Sequence, residues 1–338
     1  MRKMSYAGAI VEALRTSLSE DPTFSLVGSY VLGLGPKRVL MDSIRTEFPD
    51  RLYDPPTSEA AIVSIGAGAA MAGARPFVDI GTASFSYVGW SPLVNEAAVA
   101  RYMSGGSLRV PVVYHMLHGL RGGGAGQHSG SPQAMLWNAP GLEIVLPSSP
   151  YDVKGLMRSA IKSDNPTIFI NHARLMDIEG DVPVEDYTVP FGRADIKRAG
   201  RDVTLVATSF VVHAALSAAE RLAADGIEAE VVDPRTLVPL DHKTILDSVR
   251  RTGRLVVIDE APLSCGVASE LSAIVAEEGF EYLRSPVVRV TRPDIPVPFS
   301  KPLEDAITPT ADKVIAAVRR VMDPRAKSAA TRLSRSEI

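Results

Sequence analysis

The chain has 338 residues, 46% of them hydrophobic, enough to bury a sizeable core and to fill two domains. A formal net charge of -3 offers no broad attraction to nucleic acid or to an acidic membrane surface, so neither is expected as a partner. The single cysteine, Cys265, excludes an intrachain disulfide framework and a multi-cysteine metal site, and points to a reducing compartment, the cytoplasm.

The first residues include two basic side chains, but Glu12 and Arg15 interrupt any apolar signal core. Residues 6–18 read instead as a helix, with Ile10, Val11, Leu14 and Leu18 on one face, and Asp21-Pro22 ends it before an extended run at 24–27. Thr57-Ser58 then cap a small-residue helix that runs to Gly73, and Pro76 precedes a strand at 77–80. The weakly polar stretch 60–74 is too short to span a bilayer. Strands follow at 110–114, 143–146 and 167–170, separated by helical patterns near 93–103, 131–138 and 151–163. This alternation predicts an α/β fold with a mostly parallel sheet covered by helices on both faces.

From 176 to 199 the sequence turns acidic and Pro-bearing without helical periodicity, which reads as a linker. Alternation then restarts with strands at 203–207, 228–232, 255–259 and 287–290 and helices at 212–225, 241–250 and 267–278. The division expected is a first domain over 1–178, a linker over 179–198, a smaller α/β domain over 199–323, and a disordered tail over 324–338.

Several residues are candidates for chemistry. Glu59 begins the helix SEAAIVSIGAGAAMAGARP, where a carboxylate is favoured by the helix dipole whatever else it does. Gly66, Gly68 and Gly73 have no propensity reason to be there and point to close backbone packing, at a domain or subunit interface. The loop GLRGGGAGQHSGSP carries Arg121, Gln127 and His128 after a strand, as ligand-facing and plain surface loops both do. It has neither the Gly-Lys-Ser/Thr of a phosphate loop nor the GxGxxG spacing of a dinucleotide fold. His115 and His118 lack the carboxylate of a metal-binding motif. Phe85 and Tyr87 suit a core, Asp259-Glu260 ends an apolar strand, and no GxSxG elbow is present.

Taken in order, DPPTSEAAIVSIGAGAAMAGARPFVDI, NEAAVARYMSGG, GGGAGQHSGSPQAMLWNAPGLEIVLPSSPYDVKGLMRSAI, VVDPRTLVPLD, VVIDEAP and VTRPDIPVPFSKPLED resemble the beta subunits of pyruvate, branched-chain and acetoin dehydrogenases. These are transketolase-like, thiamin-diphosphate-dependent decarboxylating components, and the resemblance covers about residues 5–322. It implies a pyrimidine-binding domain followed by a transketolase C-terminal-like domain. Glu59 matches the glutamate that hydrogen-bonds N1′ of the aminopyrimidine, a site where a carboxyl can exchange a proton and an amide cannot. Phe85 matches the aromatic that stacks on that ring, and His128 the histidine that faces the substrate and handles protons. A monovalent cation, K+ by that resemblance, would map to Val112, Ala160, Ile161, Ser163 and Asn165.

The GDG and distant Asn pair that hold Mg2+ and diphosphate are missing, Gly180-Asp181 being followed by Val182. The resemblance therefore implies an alpha subunit that supplies them in an α2β2 assembly, with a lipoyl-bearing acyltransferase as acceptor. Alternatives on the same scaffold are an acetoin-type dehydrogenase and a split ketol transferase; a non-catalytic stabilising subunit is a third. The chain departs from its relatives at Gly28-Ser29-Tyr30, at Ala83, at Ser163, and at His115 and His118, which makes Tyr30, His115 and His118 candidate substrate-pocket residues.

Overall fold

The computed structural model describes residues 1–28 and 36–323. Ser29, Tyr30 and the tail from 324 lie outside the described residues. The chain opens with β1 (Arg2–Ser5) and α1 (Tyr6–Glu20), the latter capped by Ser5, whose hydroxyl accepts from the Gly8 amide. A seven-stranded sheet uses β2 (Phe24–Val27), β3 (Leu52–Tyr53), β4 (Arg75–Thr82), β5 (Val113–His118), β6 (Glu143–Val145) and β7 (Thr167–His172), and a late strand closes one edge. All pairings from β3 to β6 through the centre are parallel. Helices α2 (Glu59–Met71) and α3 (Pro150–Lys162) flank it.

The pleat sorts side chains between two cores. On β5, Tyr114 and Met116 join the apolar cluster that includes Ile62, Val63 and Ala67 of α2. Val113 and Leu117 join the one under α1 and α3 with Ile10, Leu14, Leu156 and Phe169. The strand expected at 110–114 starts at Val113 and runs on to His118. Pro111 has no N–H for a ladder and keeps the preceding residues out of the sheet.

The segment read as a linker contains β8 (Glu179–Val182), antiparallel to β1, and β9 (Asp195–Arg198). β9 edges a second sheet of order β14-β13-β10-β11-β9, with β10 (Val203–Ala207), β11 (Ala229–Asp233), β13 (Leu255–Pro262) and β14 (Val288–Arg292). β10 and β11 are wholly buried and β13 nearly so, hence their continuous apolar runs. Around them pack α4 (Val211–Ala224), α5 (His242–Thr252), α6 (Val267–Glu278) and α7 (Ala311–Met322). The strand closing the first sheet is β12 (Thr236–Val238), antiparallel to β6, so the chain returns from the second sheet to the first.

An ionic cluster sits where the two sheets meet. Asp152, in the first turn of α3, and Asp233, at the end of β11, are both fully buried. Lys197 of β9 reaches Asp152 at 2.5 Å and Asp233 at 3.8 Å, and Arg235 reaches Asp152 at 3.2 Å. Burial pushes the Asp233 carboxyl up to about 7 despite the Lys197 charge, whereas Lys197 and the hydroxyl of Ser149 outweigh burial at Asp152 and hold it down. Removing the lysine would leave two buried carboxyl groups with only Arg235 to offset them, on the Asp152 side. We expect Lys197→Met to destabilise the chain by about 3 kcal/mol, read as a lower midpoint at unchanged slope in urea denaturation; an unchanged midpoint would show the cluster to be energetically idle.

Candidate active site

Because the central strands run parallel, their carboxyl ends deliver loops to one side of the sheet, where α/β folds collect ligand contacts. β4 ends at Thr82 and passes into a tight helical turn, Ala83–Tyr87, that carries Phe85. β5 ends at His118 and passes into the glycine-rich loop and the short helix Ala125–His128. Glu59 opens α2 behind an extended Ser58. Its carboxylate is half-buried, and no hydrogen bond or ion pair engages it among the described residues. Gly89, four residues past Phe85, packs on that first turn: a Cβ there would lie 2.9 Å from the Val63 side chain and 3.2 Å from the Glu59 carbonyl.

Phe85 and His128 meet edge to face, ring centroids 5.2 Å apart at 74°. Backbone contacts bring them there. The Gly130 amide donates to Ser84 Oγ at 3.1 Å, and the Gly119 amide closes the base of the loop on the Gly130 carbonyl at 3.3 Å. A side chain at Gly130 would meet Ser84 Oγ at 2.2 Å, so the contact needs glycine. His128 is exposed and Phe85 half-buried, which leaves one imidazole edge open to solvent.

The second domain holds this loop by its amides. Glu260, at the end of β13, accepts from the Leu120 amide. The fully buried Glu304 accepts from Gly122 at 2.6 Å, from Gly123 at 2.9 Å and from Arg174 at 3.1 Å. Glu260 also faces His172 Nε2 at 3.1 Å with both oxygens, and the Arg174 amide donates to Nδ1, which places the imidazole hydrogen on Nε2. Burial pushes the Glu260 carboxyl up, but His172 and the amide outweigh it and bring it down to about 2. Asp259 beside it is pushed up to about 6 by burial. Asp259-Glu260 is visible in sequence as a polar strand end. Glu304, Arg174 and His172 carry no local signal, since their partners in this network, the amides of Gly122 and Gly123 and the carboxylates of Glu304 and Glu260, are distant in sequence.

The two histidines expected near the substrate are both buried. His115 is fully buried on the face of β5 shared with Val113 and Leu117, stacked on Phe77 at 5.2 Å. Tyr6 donates to Asn171 Oδ1, so Asn171 Nδ2 donates to His115 Nε2 at 2.7 Å, and His115 Nδ1 turns its hydrogen to Asp79 at 3.3 Å. His118 lies at the carboxyl edge, but it is buried among Ser209 (3.0 Å), Gln133 (3.2 Å) and Ser131 (3.4 Å) and meets the His172 ring edge-on. Burial above all lowers its pKa to about 3, so it stays neutral.

The five oxygens expected to hold a monovalent cation already accept hydrogen bonds. Val112 takes the Thr167 amide at 2.9 Å and Ala160 the Ser163 amide at 3.2 Å. Arg75 Nη1 donates to the carbonyls of Ile161 (3.1 Å) and Ser163 (2.8 Å), and Arg101 donates to Asn165 Oδ1 at 2.6 Å. The Arg75 guanidinium thus lies against two of them.

Comparison with known proteins places this geometry among relatives. The family pattern of the transketolase pyrimidine-binding domain matches residues 2–177, and that of the transketolase C-terminal domain matches 192–314. The beta subunit of acetoin:2,6-dichlorophenolindophenol oxidoreductase from Cupriavidus necator is 41% identical, over 95% of this chain and 98% of that protein. The 2-oxoisovalerate dehydrogenase subunit beta of Bacillus subtilis is 37% identical, over 96% of this chain and 100% of its own. The pyruvate dehydrogenase E1 component subunit beta of Rickettsia felis is 38% identical, over 93% and 96%. A solved structure, a split-gene transketolase in an inactive beta4 tetramer, superposes with a TM-score of 0.78 over 94% of this chain and 98% of that one; at 24% identity it speaks to the fold alone.

The neutrality of His118 has a measurable consequence. Its pKa is about 3 when folded and 6.5 when free, so between those values the unfolded chain binds a proton that the folded chain refuses. Stability therefore falls as pH drops below 6.5, by roughly 2 kcal/mol at pH 5 from this group. In urea denaturation at pH 7.5 and pH 5, His118→Gln should lose less stability than the parent chain by about that amount. Asp259, raised to about 6, acts with the opposite sign in both proteins and cancels in the comparison. Equal losses would contradict the assignment.

Proposed function

Since the chain belongs to the transketolase-like family of thiamin-diphosphate-dependent enzymes, among the beta subunits of 2-oxoacid and acetoin dehydrogenases, we propose that it supplies the aminopyrimidine half of a site shared with an alpha subunit. The observations that carry this are the edge-to-face meeting of Phe85 with His128 and the unengaged carboxylate of Glu59 at the start of α2. These residues fit the ring. A carboxyl without a protein partner is free for a ring nitrogen, and an aromatic face at the same carboxyl edge can fix the ring's orientation.

When bound, the cofactor supplies an electron sink for the carbon released by decarboxylation. Glu59 holds a proton at N1′ and exchanges it, Phe85 sets the plane of the ring, and His128, with an edge in solvent, carries protons to and from the substrate oxygen. The alpha subunit holds diphosphate and Mg2+, in an α2β2 enzyme that passes its acyl group to a lipoyl carrier in the cytoplasm. The substrate is a 2-oxoacid. An acyloin is the second reading, favoured by the 41% and 39% identities to two acetoin oxidoreductase beta subunits.

In the complex co-expressed with its alpha partner, Glu59→Gln should lower kcat by at least roughly a hundredfold while cofactor affinity changes little. Unchanged turnover would leave the chain a stabilising subunit. The purified single chain should bind thiamin diphosphate weakly by calorimetry, and tight one-to-one binding would contradict the division of the site. Product formation without any lipoyl protein, with ketol transfer to an aldehyde, would replace the dehydrogenase reading by a transferase one.

A further inference from the structure

Arg292, the last residue of β14, is 6% exposed. Its Nε is buried without a hydrogen-bond partner, and no hydrogen bond or ion pair to its guanidinium is found among the described residues. A buried N–H left unsatisfied costs free energy, which folds avoid unless a ligand or water takes the bond. Every other arginine in the buried network has a protein acceptor: Arg174 has Glu304 and Arg158 has Asp186. Arg292 instead lines a cavity of about 350 Å³ between the two domains.

The walls of that cavity define a ligand class. Ser84 and Ser131 contribute hydroxyls, and the amino end of α6, where Gly266 is the cap and the Ala268 amide donates to Asp259 Oδ2 at 3.4 Å, borders the cavity at Gly266. Pro262, Pro296 and Val297 make the rest apolar. Asp259 and Glu260 act on Arg292 through space and offset its charge, which leaves the site suited to a single negative charge held by direct hydrogen bonds better than to two. We propose that this cavity binds a small carboxylate anion, with Arg292 as its counter-ion. Its lining also includes Gly126 and Gly130 of the loop that carries His128, and Tyr87 of the turn that carries Phe85, so the anion would lie beside the reacting centre. It would be either the acid substrate itself or a separate acidic ligand.

The sole cysteine is a built-in reporter, because Cys265 is exposed and lines the same cavity. The test uses the full chain without cofactor, so its failure says nothing about the shared thiamin site. Pyruvate, titrated calorimetrically, should bind saturably, with affinity on the order of millimolar, and should slow alkylation of Cys265 by neutral iodoacetamide. Arg292→Met should weaken binding by roughly tenfold or more and abolish the protection, while Arg292→Lys keeps part of both. Since no protein group hydrogen-bonds the guanidinium, Arg292→Met should fold and melt close to the parent chain. No saturable binding, binding unchanged in Arg292→Met, tighter binding of inorganic phosphate than of pyruvate, or a much lower melting temperature in Arg292→Met would overturn the proposal. In the assembled enzyme, a raised KM at constant kcat would assign the anion to the substrate, and an unchanged KM to a separate ligand.

Discussion

The site depends on two buried carboxylates that reach across the domain boundary to the backbone of one loop. Glycine-rich segments lose much conformational entropy on ordering, and a run such as Gly122-Gly123-Gly124 has no side chains with which to hold itself. Glu304 and Glu260 supply the missing constraint by accepting the amides of Gly122, Gly123 and Leu120. Charge-assisted bonds to amides are stronger than neutral ones, and here each carboxylate is itself oriented by a second group, Arg174 or His172. The position of His128 against Phe85 is thus set from the second domain, although both residues belong to the first.

That arrangement explains why glycine recurs where it does. Gly119 has a φ of +91°, and a Cβ there would fall 2.1 Å from His172 Nε2 and 2.5 Å from Glu260 Oε1. A side chain at this position would displace the carboxylate that anchors the loop. At Gly130 the obstacle is the Ser84 hydroxyl, on the turn that carries Phe85. Each glycine marks a place where one segment of the site presses against another, which is a packing requirement and not a flexibility requirement.

The sequence made the layered α/β order legible because parallel strands buried on both faces write continuous apolar runs, as at 203–207 and 255–259, and because Ser58 and Pro76 punctuate the chain. The catalytic candidates were legible only through the resemblance: the spacing of Glu59, Phe85 and His128 has no period that would single them out. Illegible were the contacts whose partners are remote backbone. Glu304 lies 182 residues from the Gly122 amide it accepts, inside a helix Lys301–Ile307 where a glutamate is unremarked. β12 was likewise hidden, since a three-residue strand does not announce which sheet it will edge.

His115 and His118 sharpen the question of substrate choice. As departures from the relatives they drew attention to the pocket, yet both are satisfied inside the protein, one by Asp79 and Asn171, the other by Ser209, Ser131 and Gln133. A neutral imidazole whose two nitrogens already have partners has little left to offer a ligand. Its influence on specificity would have to pass through the position of its neighbours: His118 touches His172, and His172 orients Glu260, which holds the loop. A side chain that contacts the substrate needs unsatisfied capacity turned to a cavity. Near the loop, Arg292 has that and the histidines of β5 do not.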